Sequence, residues 1–150
     1  PGTYAVSYDS TVYTAQKVTE TVTNNQGEHV ARVDLKPSDN ALASVKKQIN
    51  DHLQKCAAQN ALYPTGCPFE YSFGGRVDST VQWTVEKVAD PQVSVNTSGV
   101  WSVQPMKGTV KVSFTQLDLY TGARSQVQKE IPFTLKASVE ADAKAVHVTF

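Results

Sequence analysis

The two cysteines of the chain fall in one stretch, KCAAQNALYPTGCPF, residues 55–69, as Cys56 and Cys67. Such a pair serves as a structural disulfide, as half of a metal site, as a redox couple, or as two buried free thiols. Zinc takes about four ligands, usually with C-x2–4-C or H-x3–5-H spacing. His29, His52 and His147 are scattered and show no such pairing, so no metal is expected. A redox couple is normally C-x-x-C with its first cysteine at a helix N-terminus, where the thiolate is stabilised. Cys56 sits at the opposite end of a helical pattern, where the dipole disfavours that charge. Pro64, Gly66 and Pro68 turn the chain back toward the helix end, which makes closure easy. The structural disulfide is the favoured reading. Closing a loop of this length is worth on the order of 3 kcal/mol in the chain-entropy model. Such bonds persist in oxidising compartments, so the expected address is extracytoplasmic.

Other chemistry is sparse. FGGRVD, residues 73–78, has adjacent glycines but no Lys-Ser/Thr and no helix after it, and reads as a loop entering a strand. No G-x-S-x-G elbow or H-E-x-x-H pair occurs. An acid–base site in a cone-shaped fold would draw on Asp78, Asp118, Tyr120 and His147, yet nothing in the sequence brings them together. A non-enzymatic domain without a cofactor is expected. Trp83 shares a face with Val81 and Val85 and is expected in the core. Trp101 follows a turn between Val100 and Val103 and is the candidate for an exposed, ligand-stacking surface. QVSVN, residues 92–96, has a faint likeness to the Q-x-V-x-G hairpin of cystatins, with Asn96 where the glycine would be. Asn96-Thr97-Ser98 fits an N-glycosylation acceptor.

The elements that must hold these residues follow from periodicity. TYAVSYD places Tyr4, Val6 and Tyr8 on one face. KVTETVT (Val18, Val22) and HVARVDL (Val30, Val33) read as further strands, joined by a hairpin turn at NNQGE. The helix begins after Pro37, with Ser38, Asp39 and Asn40 as N-cap candidates. Leu42, Val45, Ile49, Leu53 and Cys56 form one apolar stripe, and Asn60 is expected to end it in the left-handed conformation. Four strand patterns follow. VDSTVQWTVEKV carries Val77, Val81, Trp83 and Val85. GTVKVSFTQLDLY has Val110, Val112 and Phe114 in one phase and Leu117 and Leu119 in the other, which predicts a bulge or bend near Thr115-Gln116. VQKEIPFTLKASV runs from Val127 to Val139, with Pro132 marking an edge or bulge. AVHVTF ends the chain with Val146, Val148 and Phe150 inward. The expected fold is α+β, one long helix on a curved antiparallel sheet as in cystatin-like and NTF2-like folds. A β-meander over 1–36 precedes a helix-plus-sheet domain over 37–150.

Composition bounds partners. The 150 residues carry 14 basic and 14 acidic side chains and no net charge, so no footprint for nucleic acid or an anionic membrane is present. No apolar run approaches the roughly 18 residues of a span. The start at Pro1-Gly2 leads to the expectation of a trimmed piece, with any anchor or export signal upstream.

CAAQNALYPTGCPF, the helix before it and the later VQWTV resemble a pattern in uncharacterised actinobacterial membrane proteins. There, an anchor precedes an extracytoplasmic region with a helix ending in Cys, a GCPF loop and a Trp-containing strand. PGTYAV looks like the closing half of a PEGA-like or carboxypeptidase-regulatory-like β unit. The resemblance implies an envelope-facing domain, with an envelope protein or glycan as partner. The leading expectation is an interaction or structural domain, secreted or membrane-anchored. The alternative is a small-ligand pocket between helix and curved sheet, binding or acting on its ligand.

Overall fold

The computed structural model describes residues 1–24 and 26–150. In chain order the elements are β1 (Gly2–Asp9), β2 (Tyr13–Val22), β3 (Leu35–Pro37), α1 (Asp39–Ala57), β4 (Arg76–Val77) and β5 (Gln82–Val88). Then come β6 (Val93–Val95), β7 (Trp101–Val103), β8 (Met106–Leu117), β9 (Arg124–Leu135), β10 (Ser138–Ala141) and β11 (Val146–Thr149). The described residues are thus α+β, mostly strand with one helix. They group into two compact units. The first takes Pro1–Val45, Val93–Val103 and Ser138–Thr149; the second takes Lys46–Gln92, Gln104–Ala137 and Phe150.

In the first unit, α1 starts where its sequence says it should. The Ser38 hydroxyl accepts a hydrogen bond from the Ala41 N–H at 3.1 Å, which satisfies one of the orphan donors of the first turn. The same hydroxyl donates to the Thr11 carbonyl at 2.5 Å, and the Ser38 N–H donates to the Val12 carbonyl. Ser38 is therefore both cap and anchor, and it is buried. The strands lie in the order β1-β2-β3 and all are antiparallel. β3 lies alongside β6, which pairs with β7; β7 lies alongside β10, which pairs with β11. Val12, Ala15, Trp101, Val139 and Val146 are buried here, with Ala41 and Val45 from the helix.

The second unit is built on β8. β9 pairs with it along its whole length, from Met106↔Leu135 to Leu117↔Arg124. The other edge of β8 is shared between β5 and β4. Its alternation buries Val110, Val112 and Phe114, which share a face with Trp83 of β5 and Phe133 of β9. The long loop after α1 lays aromatic rings on that face. Phe69 stands 4.8 Å from Trp83 and 5.7 Å from Phe133, and Phe73 stands 4.8 Å from Phe114. The Trp83 indole N–H donates to the Ala61 carbonyl at 2.7 Å, so the one polar atom of that ring is satisfied. From α1, Ile49, Leu53 and Cys56 are fully buried. Among the described residues no buried side-chain nitrogen or oxygen lacks a partner. A side chain of this type fully buried contributes about 1.5–3 kcal/mol, so this filled apolar face is the unit's main source of stability.

Several expectations need correction. HVARVDL forms no strand before Leu35; Val30 and Val33 are three residues apart, so a strand would put them on opposite faces, and Val30 is 62% exposed. The NNQGE turn includes residue 25, which lies outside the described residues, although Gly27 does take positive φ. VDSTVQWTVEKV breaks into β4 and β5, and VQKEIPFTLKASV breaks into β9 and β10. Of the bulge or bend expected near Thr115-Gln116, the bulge is absent, because the β8–β9 register runs through it without a shift. What changes there is the opposite neighbour: Ser113 pairs with Gln82 of β5 and Gln116 with Val77 of β4. Leu119, whose phase suggested the bulge, is in the turn and 71% exposed. Pro132 points to solvent on β9, which pairs with β8 alone and is an edge.

Candidate interaction groove

A large cavity lies wholly in the first unit, between the chain leading through β3 and strand β6. It is an open groove of about 930 Å³. Arg32 to Pro37 form one wall, Val93 to Thr97 the other, and Leu42 of α1 contributes between them. Val33, Leu35, Pro37, Leu42, Val93 and Val95 are each half-buried, while Arg32, Asp34 and Lys36 alternate outward. This is the period-two alternation of an extended chain, and it gives an apolar floor with a charged rim. β3 is hydrogen-bonded to β2 over Leu35–Pro37, and β6 to β7 over Val93–Val95. Among the described residues no ladder joins β3 to β6, although they run alongside. The far wall is held by the β6–β7 hairpin. Its tip is closed by the Asn96 side-chain oxygen, which accepts from the Ser98 and Val100 N–H groups, each at 2.9 Å. Gly99 supplies the positive φ that this turn needs. Its charged side chains, Arg32, Asp34 and Lys36, are exposed and alternate in sign along the wall.

The residues singled out for chemistry go elsewhere. Cys56 and Cys67 are joined as a disulfide, with Cα atoms 5.7 Å apart. Its loop has a second lock. The Gln59 side chain accepts from the Thr65 N–H at 2.7 Å and donates to the Thr65 carbonyl at 2.9 Å. Asn60, at φ 52°, ends the helical segment in the left-handed region, as expected. His52 stacks on Phe150, ring centroids 3.9 Å apart, with Nε2 3.8 Å from Cys56 Sγ.

Trp101, expected as a stacking surface, is buried instead, at 8% exposure. Its indole N–H donates to the Tyr13 hydroxyl at 3.0 Å, and the two rings lie 5.5 Å apart. A ring enclosed in this way offers no face to a ligand. Trp83 is in the core.

The four acid–base candidates are each engaged locally. Asp78 forms an ion pair with Arg124. Asp118 caps the β8–β9 turn: hydrogen bonds from the Thr121 and Tyr120 amides hold its carboxyl below the usual carboxylate range. Tyr120 is fully exposed at that turn. His147 pairs with Asp142 at 3.2 Å, and bonds from the Lys144 and Ala145 amides lower the Asp142 pKa before His147 adds to the effect. Among the described residues no group of three or more His, Cys, Asp or Glu side chains is placed to hold a metal, and no helix is long and apolar enough to cross a membrane.

Sequence reasoning saw half of the groove. QVSVN carries a signal in the sequence only as a cystatin likeness, not as the wall of a groove. Leu42 was assigned to the helix stripe, and the partnership of Tyr13 with Trp101 spans 88 residues. No family model, curated protein or solved structure matches the chain.

Proposed function

We propose that this chain is a non-enzymatic interaction or structural domain of a secreted or membrane-anchored envelope protein. Its β3–β6 groove takes an extended segment of a partner polypeptide. The observation that carries the reading is the groove itself, an apolar floor with a charged rim between two strands that share no ladder. An extended peptide laid along the groove sets its alternate side chains into the apolar floor, while its backbone lies against the charged rim. The disulfide supports an oxidising, extracytoplasmic setting. Kinship with the actinobacterial envelope proteins and a cystatin-like or NTF2-like curvature of the sheet belong to the same proposal.

The test is a titration of extended peptides, selected by display against the intact chain, into isotope-labelled protein. Amide shifts confined to residues 33–37 and 93–97, lost in a folded Val95→Lys variant, are the expected result. Binding that ignores Val95→Lys, or maps outside the groove, overturns it. The groove's volume also falls in the range of small-molecule sites, about 300–1,000 Å³. An apolar dye that enters it and is not displaced by any peptide would favour that second reading, and an oligosaccharide that shifts the same amides would assign the partner as a glycan.

A further inference from the structure

We infer that β1 is a self-pairing edge, and that two copies of this chain associate reversibly through it about a twofold axis at Val6. β1 ends the β1-β2-β3 sheet, and every one of its residues is exposed. The register shift beside it puts the extra residue on β2, between Ala15 and Val18, so β1 itself stays regular. Edge strands are ordinarily protected by lysine, proline, bulges or shortness. Another long edge shows such protection: β9 carries Lys129, Glu130 and Pro132. β1 reads GTYAVSYD and has neither a charge nor a proline before Asp9.

The sequence of β1 is also a near-palindrome. About Val6, antiparallel pairing sets Tyr4 opposite Tyr8 of the second copy, Ala5 opposite Ser7, and Val6 opposite itself. A twofold interface demands this self-complementarity, and aromatic and β-branched cross-strand pairs are the favourable ones. In this register Asp9 meets Thr3, so no like charges face each other. Tyr4, Val6 and Tyr8 are 57%, 37% and 47% exposed. With a tyrosine offering roughly 200 Å², each copy brings on the order of 250 Å² of apolar side chain. Even with the strand backbone added, the interface falls short of the ~1,200 Å² at which stable complexes begin. The dimer is accordingly weak, formed at high local concentration, as on a surface bearing many copies.

Sedimentation velocity over a concentration series tests this. The weight-average sedimentation coefficient should rise with concentration, and the rise should vanish in Val6→Lys, a change at an exposed site that leaves the fold intact by circular dichroism. Air oxidation adds an independent measurement: Val6→Cys should give a covalent dimer, whereas Thr3→Cys, whose two copies lie far apart in this register, should stay monomeric. Three results overturn the inference: a sedimentation coefficient independent of concentration, a dimer that persists in Val6→Lys, or equal cross-linking of both cysteine variants. A chain that stays monomeric while its β1 amides shift on adding a foreign strand peptide would give the edge to a different partner.

Discussion

Two strands of this molecule carry the same kind of pattern and meet opposite fates. Tyr4, Val6 and Tyr8 alternate along β1 as regularly as Val110, Val112 and Phe114 do along β8. On β8 those side chains are at most 2% exposed; on β1 they are at least 37% exposed. The difference lies in what the rest of each unit supplies. β8 has a neighbour on both edges and aromatic rings from a disulfide-held loop over its face. β1 has β2 on one edge and exposure elsewhere. Alternation therefore states which side chains share a face. Whether that face is covered depends on residues distant in sequence.

The sharpest way to break this comparison is to truncate one aromatic on each strand. Phe114→Ala should cost about 3–5 kcal/mol, read from denaturant unfolding. Tyr8→Ala in dilute solution should stay within about 0.5 kcal/mol of the parent. Equal costs would mean that the β1 face is covered after all. Next in size is the Cys56–Cys67 staple, which precedes the segment whose Phe69 and Phe73 cover the sheet. Replacing Cys56 and Cys67 together by serine should cost about 3 kcal/mol, most visible as early loss of the near-ultraviolet signal from Trp83. In the first unit the corresponding fixture is smaller. Ser38→Ala removes the cap and the bond to Thr11 and should cost about 1–2 kcal/mol; hydrogen exchange should quicken at Ala41 while amides of β8 keep their protection.

The smallest effect is one of pH. Burial lowers the His52 pKa below its ordinary 6.5, against an opposing hydrogen bond with the Gly66 backbone and with some help from the charge of Lys55. The folded protein then binds this proton less readily than the unfolded chain. The contribution is fully present above the unfolded value and is lost as pH falls through the depressed folded one. Stability should dip on acidification from neutrality, and His52→Gln should flatten that slope, as followed by thermal unfolding across the window. No change in slope would remove His52 from the loop's support.

Local signals were legible in proportion to how short their range is. The helix, its cap at Ser38, its left-handed end at Asn60 and the Cys56–Cys67 closure each depend on residues within about a dozen positions. They stand in the structure as the residue types imply. The change of pattern at residue 37 is a change from strand to helix, whereas compactness groups residues from three separate stretches, a property that no local window contains. Trp101 shows the same limit. Its flanking valines and nearby turn left its exposure open, and what encloses it is Tyr13, far away in the chain. The groove escaped notice because its two walls are separated by more than fifty residues, and each alone looks like an ordinary half-buried strand.

The Gln59 clasp on Thr65 bears on what happens when the Cys56–Cys67 bond is reduced. It grips the return segment through two hydrogen bonds that a reductant does not touch. In a molecule whose sulfurs have been parted, these two bonds favour, by about 1 kcal/mol each, a Cys67 that stays near the helix end. Repair becomes a local reclosure between neighbours, not a search by a loose chain, and a passing encounter with thiols need leave no scar.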